Sequence, residues 1–190
     1  MASSQSQCPR AVELYLFILI MPVISSPYLM LTTMQHSPCY LKQWAPSNLL
    51  NKISWDDILD KLDYDVSLGQ WGYCNDPKEG MIPTIVAEGF YQPDSFIQLA
   101  ETVYSTFFMN RMHTYISFAQ TSTFGRHNDT MDVFIVAVKG AVKYTFDNGE
   151  EYTLAPGDAI HIPAGTYHNP TCFGPRCTLS FSQEKYYGDV

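Results

Sequence analysis

The stretch from Tyr152 to Asn169, YTLAPGDAIHIPAGTYHN, constrains the fold more than any other part of this 190-residue chain. Pro156-Gly157 makes a turn into a short strand, and Pro163 with Gly165 ends that strand and turns the chain sharply. The strand that follows then begins by aiming His168 inward.

The same texture runs from about His113 onward. Residues 114–122, 132–138, 141–147, 151–154, 158–162 and 176–182 read as strands. Their turns carry Gly140, Asn148-Gly149, Pro156-Gly157, Pro163-Ala164-Gly165 and Gly174-Pro175. Many short strands with such punctuation predict an all-β sandwich or barrel. Residues 132–138 are apolar on both faces, as expected of a strand covered outside by helices and filling a barrel inside.

Helices are expected upstream. Ser54 can cap a helix whose first turn holds Asp56 and Asp57, with Ile58, Leu59 and Leu62 as its apolar stripe. Ser95 and Gln98 have capping-box spacing at the start of a second helix. Its stripe is Phe96, Leu99, Ala100, Val103, Tyr104 and Phe107, which predicts packing on the outside of a sheet. Residues 66–80 read as a loop and 81–87 as a strand. The expected organisation is one domain over residues 34–190. Helical and β elements of 34–112 pack on a barrel formed by 113–190.

Residues 14–24, LYLFILIMPVI, are strongly apolar, and three readings stay open. The run is an anchor if extended to about Leu31, a signal peptide, or an extension upstream of a start at Met30 or Met34. Residues 1–33 are therefore set apart from the fold, with membrane contact expected only if residues 14–31 are a genuine anchor. A cytoplasmic location is expected otherwise. The formal net charge of −8 argues against general nucleic-acid binding. No CxxC pair occurs among the five cysteines. Cys172 and Cys177 flank a tight turn and either face each other or remain two reduced thiols.

The chemistry concentrates on three residues. His127 and Asp129 are two apart, so on a strand they share a face. With His168 from a distant strand they make a metal-binding facial triad, the arrangement of non-haem Fe(II) oxygenases, which leaves one side of the ion open. Asp132 is a rival carboxylate that orients a ligand or caps a turn. His161 falls on the face opposite Ile160 and Ile162 and is not expected to ligate; His113 receives no role.

The run Gly157-x5-Pro163-x-Gly165-x2-His168 resembles the second cupin motif, with Cys172 in place of its final Asn. With GRHNDTMDVFIVAVKG at residues 125–140, the chain resembles the Jumonji-C-like oxygenases of the cupin superfamily. The resemblance is close over 115–182 and loose over 40–112. It implies a double-stranded β-helix, a jelly-roll barrel with flanking helices. It also implies Fe(II) held by His127, Asp129 and His168, and the use of 2-oxoglutarate and O2 to hydroxylate or demethylate a substrate.

The chain departs from that pattern in two places. Relatives place a Lys or Arg fifteen residues past the first His, to pair with the distal carboxylate of 2-oxoglutarate; here that slot is Val142 and the nearest cation is Lys143. Either a bulge at Gly140-Ala141 turns Lys143 inward with Thr145 to bind the co-substrate, or Val142, Tyr144 and Phe146 point inward and this anchor is missing. Three residues before His127, where relatives often carry Thr, stands Phe124. The alternatives to a 2-oxoglutarate oxygenase are a metal-dependent cupin dioxygenase or isomerase without 2-oxoglutarate, and a non-catalytic binding cupin. A small-molecule or peptide substrate is expected, with Trp71, Tyr73 and Phe118 available to line a mouth. Tyr186-Tyr187 offers a lid or a homodimer contact.

Overall fold

Alternation of side chains across each strand decides how the C-terminal half closes. The computed structural model describes residues 37–73, 84–88, 94–107, 109–120 and 123–183. Within them lie β1 (Cys39–Leu41), α1 (Ser47–Leu50), α2 (Trp55–Ser67), β2 (Trp71–Tyr73), β3 (Ile85–Glu88) and α3 (Asp94–Phe107). The chain continues through β4 (Arg111–Ser117), β5 (Val133–Lys139), β6 (Val142–Phe146), β7 (Glu151–Leu154), β8 (Ala159–Ile162), β9 (His168–Cys172) and β10 (Arg176–Ser182). A large antiparallel sheet has the order β1-β8-β5-β10-β4-β3-β2 and a small one the order β7-β6-β9.

β5 shows the layering. Phe134, Val136 and Val138 enter an outer core with Phe96, Leu99, Val103 and Phe107 of α3. Val133, Ile135 and Ala137 enter an inner core with Val142, Tyr144 and Phe146 of β6. The strand is apolar on both faces because both are covered. Each large side chain so buried contributes about 1.5–3 kcal/mol. The result is a jelly-roll barrel with helices outside the large sheet.

The helices depart from expectation in detail. α2 begins with the expected cap: Ser54 Oγ accepts from Asp57 N at 3.0 Å in a full capping box. Its buried side includes the Lys61–Asp65 ion pair, whereas Leu59 is 46% exposed. The two charges are one turn apart and pair with each other, and Lys61 Nζ also donates to Glu88 O at 3.1 Å, while Asp65 Oδ1 is left without a hydrogen-bond partner. α3 starts at Asp94, which places Ser95 within its first turn rather than ahead of it. Tyr104 is 53% exposed, at the edge of a stripe that the outer core fills without it. β2 lies in the stretch read as a loop, and β4 ends at Ser117.

Gly140 closes the β5–β6 turn at φ 65°, where an added Cβ would stand 2.0 Å from the Pro175 carbonyl oxygen. Only glycine lets the start of β10 approach this closely. Cys172 and Cys177 are both buried and are not joined in a disulfide. Burial pushes the Cys177 thiol up to about 12. Residues 1–33 and Tyr186-Tyr187 lie outside the described residues. No helix among the described residues is long and apolar enough to cross a membrane.

Candidate metal centre

His168 opens β9 at the edge of the small sheet. Its backbone exchanges two hydrogen bonds with His127: His127 N to His168 O at 2.9 Å and His168 N to His127 O at 2.8 Å. The strand expected around His127 is thus reduced to a single bridge, yet it brings the two rings to a centroid separation of 4.4 Å. Asp129 follows on the same side, with Oδ2 3.7 Å from His168 Nε2. One donor atom from each of His127, Asp129 and His168 lies within 4.8 Å of the others.

Local backbone sets both tautomers. His127 Nδ1 lies 2.8 Å from Gly125 O, and His168 Nδ1 lies 3.0 Å from Thr166 O. A carbonyl only accepts, so each Nδ1 carries the proton and each Nε2 keeps its lone pair for a metal. Burial holds the His168 pKa below the ordinary histidine value. The ring is therefore neutral at pH 7, as a ligand must be. Two imidazoles and a carboxylate with one side open suit a six-coordinate Fe(II).

Asp132 is no rival ligand; it holds the turn. Its Oδ1 accepts from Ala164 N at 2.9 Å and its Oδ2 lies 3.2 Å from His161 Nε2. Beside it, Gly165 N donates to Asp129 O at 2.8 Å. Gly165 has φ 77°, a conformation glycine takes without strain, and this turn delivers His168 to Asp129. Among the described residues His161 joins no metal-competent cluster.

Lys143 is not brought to this cavity. β6 pairs without a bulge, and Val142, Tyr144 and Phe146 take the buried face. Strict alternation then sends Lys143 outward, where Nζ lies 3.2 Å from Glu151 Oε1. The inward cation is Arg176 on β10, 2% exposed, in the wall of the same cavity of about 140 Å³ as the triad. Its Nη1 donates to Thr178 Oγ1 at 2.7 Å, whereas Nε is buried without a hydrogen-bond partner. Among the described residues it makes no salt bridge. A guanidinium is always charged, so the cavity presents an unpaired cation.

A sequence signal for Arg176 existed. Arg176, Thr178, Ser180 and Ser182 alternate with Cys177, Leu179 and Phe181. The apolar set joins the outer core, which leaves the polar set facing the barrel interior. His113, given no role from sequence, also lines the cavity, with Nε2 3.4 Å from Glu88 Oε1. The aromatic residues of the wall include Tyr115 and Phe124, with Phe124 edge-on to His127 at 5.6 Å. Trp71 and Phe118 stand apart from it; Phe118 packs on Trp55.

These histidines make stability pH-dependent in the metal-free protein. Burial lowers the pKa of His113, His161 and His168 below 6.5. Between each lowered value and 6.5 the unfolded chain binds more protons than the folded one, so stability falls as pH falls. The thermal midpoint is expected to drop from about pH 7.5 to about pH 5.5, with a shallower slope in His161→Gln. A slope unchanged by that substitution would show that His161 is protonated equally in both states.

Comparison with known proteins agrees with this architecture. Residues 114–180 match the family model described as Cupin domain. Two structures of Escherichia coli YcfD, one described as a ribosomal oxygenase, align at 15% identity. The first has a TM-score of 0.57 over 81% of this chain and 50% of that chain. The second has a TM-score of 0.60 over 88% and 55%. A Pseudomonas putida prolyl-4-hydroxylase aligns at 12% identity with a TM-score of 0.51, over 84% of this chain and 99% of that one. At these identities the likeness shows the fold alone, and this chain spans about half the length of the E. coli protein. No curated protein matches the chain.

Proposed function

We propose that the chain, whose residues 114–180 match the Cupin domain model, is an Fe(II)- and 2-oxoglutarate-dependent oxygenase, acting as a hydroxylase on a small-molecule or peptide substrate. One observation carries the proposal: a facial triad and a buried, unpaired guanidinium share one cavity. The fold shared with proteins named ribosomal oxygenase and prolyl-4-hydroxylase supports it.

Bound iron with 2-oxoglutarate and O2 supplies the oxidising chemistry for attack on a C–H bond. The chain supplies position and charge. Nε2 of His127 and His168 and the Asp129 carboxylate hold one side of the metal, with backbone carbonyls fixing both rings. Arg176 offers a fork of N–H donors that matches a carboxylate and so takes the distal end of the co-substrate. Val133, Ile135 and Tyr144 make the facing wall apolar, which limits water around that ion pair. The His113–Glu88 pair on the β3–β4 side presents hydrogen-bonding groups to a substrate.

Uncoupled turnover tests the reading. Protein loaded with Fe(II) is expected to release succinate from 2-oxoglutarate in the presence of O2, without a prime substrate and above a metal-free control. Iron bound at the triad with no succinate released would move the chain to the cupin enzymes that use a metal without 2-oxoglutarate.

A further inference from the structure

His127 enters the triad on slender support. Among the described residues its strand pairing is a single bridge to His168, outside any named strand. Nearby, the Thr123 hydroxyl donates to Pro170 O at 2.9 Å and the Asp129 carbonyl accepts from Gly165 N at 2.8 Å. A ligand carried on so short a pairing needs further restraint if its donor atom is to wait in place for an ion.

That restraint lies one residue away, on the solvent side. Arg126, next to His127, forks onto Asp147: Nε donates to Oδ1 at 2.8 Å and Nη2 donates to Oδ2. The guanidinium carbon also stands 4.0 Å from the ring centroid of Tyr167, the neighbour of His168. Asp147 in turn follows Phe146, which is the cross-strand partner of His168 and has its ring 6.2 Å from the His168 ring. Three segments therefore meet twice. His127, His168 and Phe146 pack on the inner side, and their sequence neighbours Arg126, Tyr167 and Asp147 interlock on the exposed side. Alternation along extended chain makes this two-sided arrangement possible.

We propose that Arg126 is a positioning residue for the metal centre, pinned by Asp147 and Tyr167 so that His127 stays in register with Asp129 and His168; this rests on the reading of those three residues as metal ligands. The physical argument is preorganisation. An ion needs all three donors at once, and its apparent affinity falls with the fraction of molecules in which all three are in place. Isolated exposed ion pairs contribute little to stability. A two-bond fork backed by an aromatic face is a different case, because it fixes direction as well as distance. Arginine makes the fork and the stack with one planar group, which lysine cannot do. Loss of Arg126 leaves both hydrophobic cores untouched and loosens one ligand.

The test titrates the full-length protein with Co(II), whose visible absorption reports its coordination, in competition with a chelator. Arg126→Gln and Asp147→Asn are each expected to weaken Co(II) binding about 10-fold, the lower end of the range for residues outside the ligand set, and to alter the spectrum. Arg126→Lys keeps the charge without the fork and should recover only part of the loss. Tyr167→Phe keeps the aromatic face and should bind as the native protein does, whereas Tyr167→Ala should bind about 3-fold more weakly. The melting temperature of each metal-free variant should stay within about 4 °C of native, which separates placement of a ligand from general destabilisation. Native affinity and spectrum in both Arg126→Gln and Asp147→Asn would overturn the proposal and leave the triad standing. Weakened binding that only follows a larger fall in metal-free melting temperature would also overturn it, by making Arg126 a stability residue. No Co(II) bound by the native protein would remove the metal centre itself, and the role of Arg126 with it.

Discussion

Replacing His127, Asp129 or His168 by alanine is expected to lower the affinity for Fe(II) by more than about 100-fold, beyond the range typical of outer-sphere changes. The triad has three donors, one of each kind of connection: a bridge residue, a loop carboxylate and the first residue of β9. Losing any one leaves two donors, too few to hold a labile divalent ion against water. The fold should tolerate the loss. The hydrogen bonds joining His127 to His168 are backbone to backbone and survive truncation of either ring. Asp129 is 38% exposed and its removal uncovers little core. Asp132→Ala provides the graded comparison: it releases the 163–166 turn without removing a ligand, so affinity should fall by about 10-fold to 100-fold. Anaerobic calorimetric titration with Fe(II) on the four variants reads the series directly. Native affinity in both Asp129→Ala and His168→Ala would mean that the ion sits elsewhere.

The contrast between what was legible in the sequence and what was not follows from the kind of physics involved. Gly157 and Gly165 were readable because positive φ, here 98° and 77°, restricts residue choice at a turn and so fixes where His168 emerges. The His127–Asp129 spacing was readable because two residues apart is one face in any extended segment. β1 and β2 escaped because three residues carry no period; their pairing partners, β8 and β3, make them strands. Lys61 and Asp65 escaped because hydrophobic patterning cannot see a charge pair that buries itself. Lys143 stayed open between two orientations, and Arg176 received no role, because alternation separates two faces of a strand without telling which is inside. The closure of the barrel, with helices covering β10's apolar face, decides both.

The inward placement of Arg176 makes Arg176→Met the most discriminating single substitution, because its two effects have opposite signs. In the native protein without co-substrate, the guanidinium is 2% exposed and bonded to the Thr178 hydroxyl, with one nitrogen unsatisfied. A buried charge so poorly compensated is costly, and apolar replacements of similar volume at such positions stabilise proteins by about 1–4 kcal/mol. The variant free of co-substrate should therefore unfold at a higher temperature than the native protein. Affinity for 2-oxoglutarate should move the other way. Charge-assisted hydrogen bonds contribute about 1.5–3 kcal/mol each, so losing a two-bond grip weakens binding by about 100-fold or more. Lysine at the same position restores charge but not the fork, and should recover only part of that loss. Lys143→Ala should change neither property measurably, since it breaks only a cross-strand pair whose members are 31% and 57% exposed. Loss of 2-oxoglutarate binding in Lys143→Ala together with its retention in Arg176→Met would require β6 to turn over in solution. The alternation that buries Val142, Tyr144 and Phe146 makes that turn expensive: it would expose three large apolar side chains to place one cation.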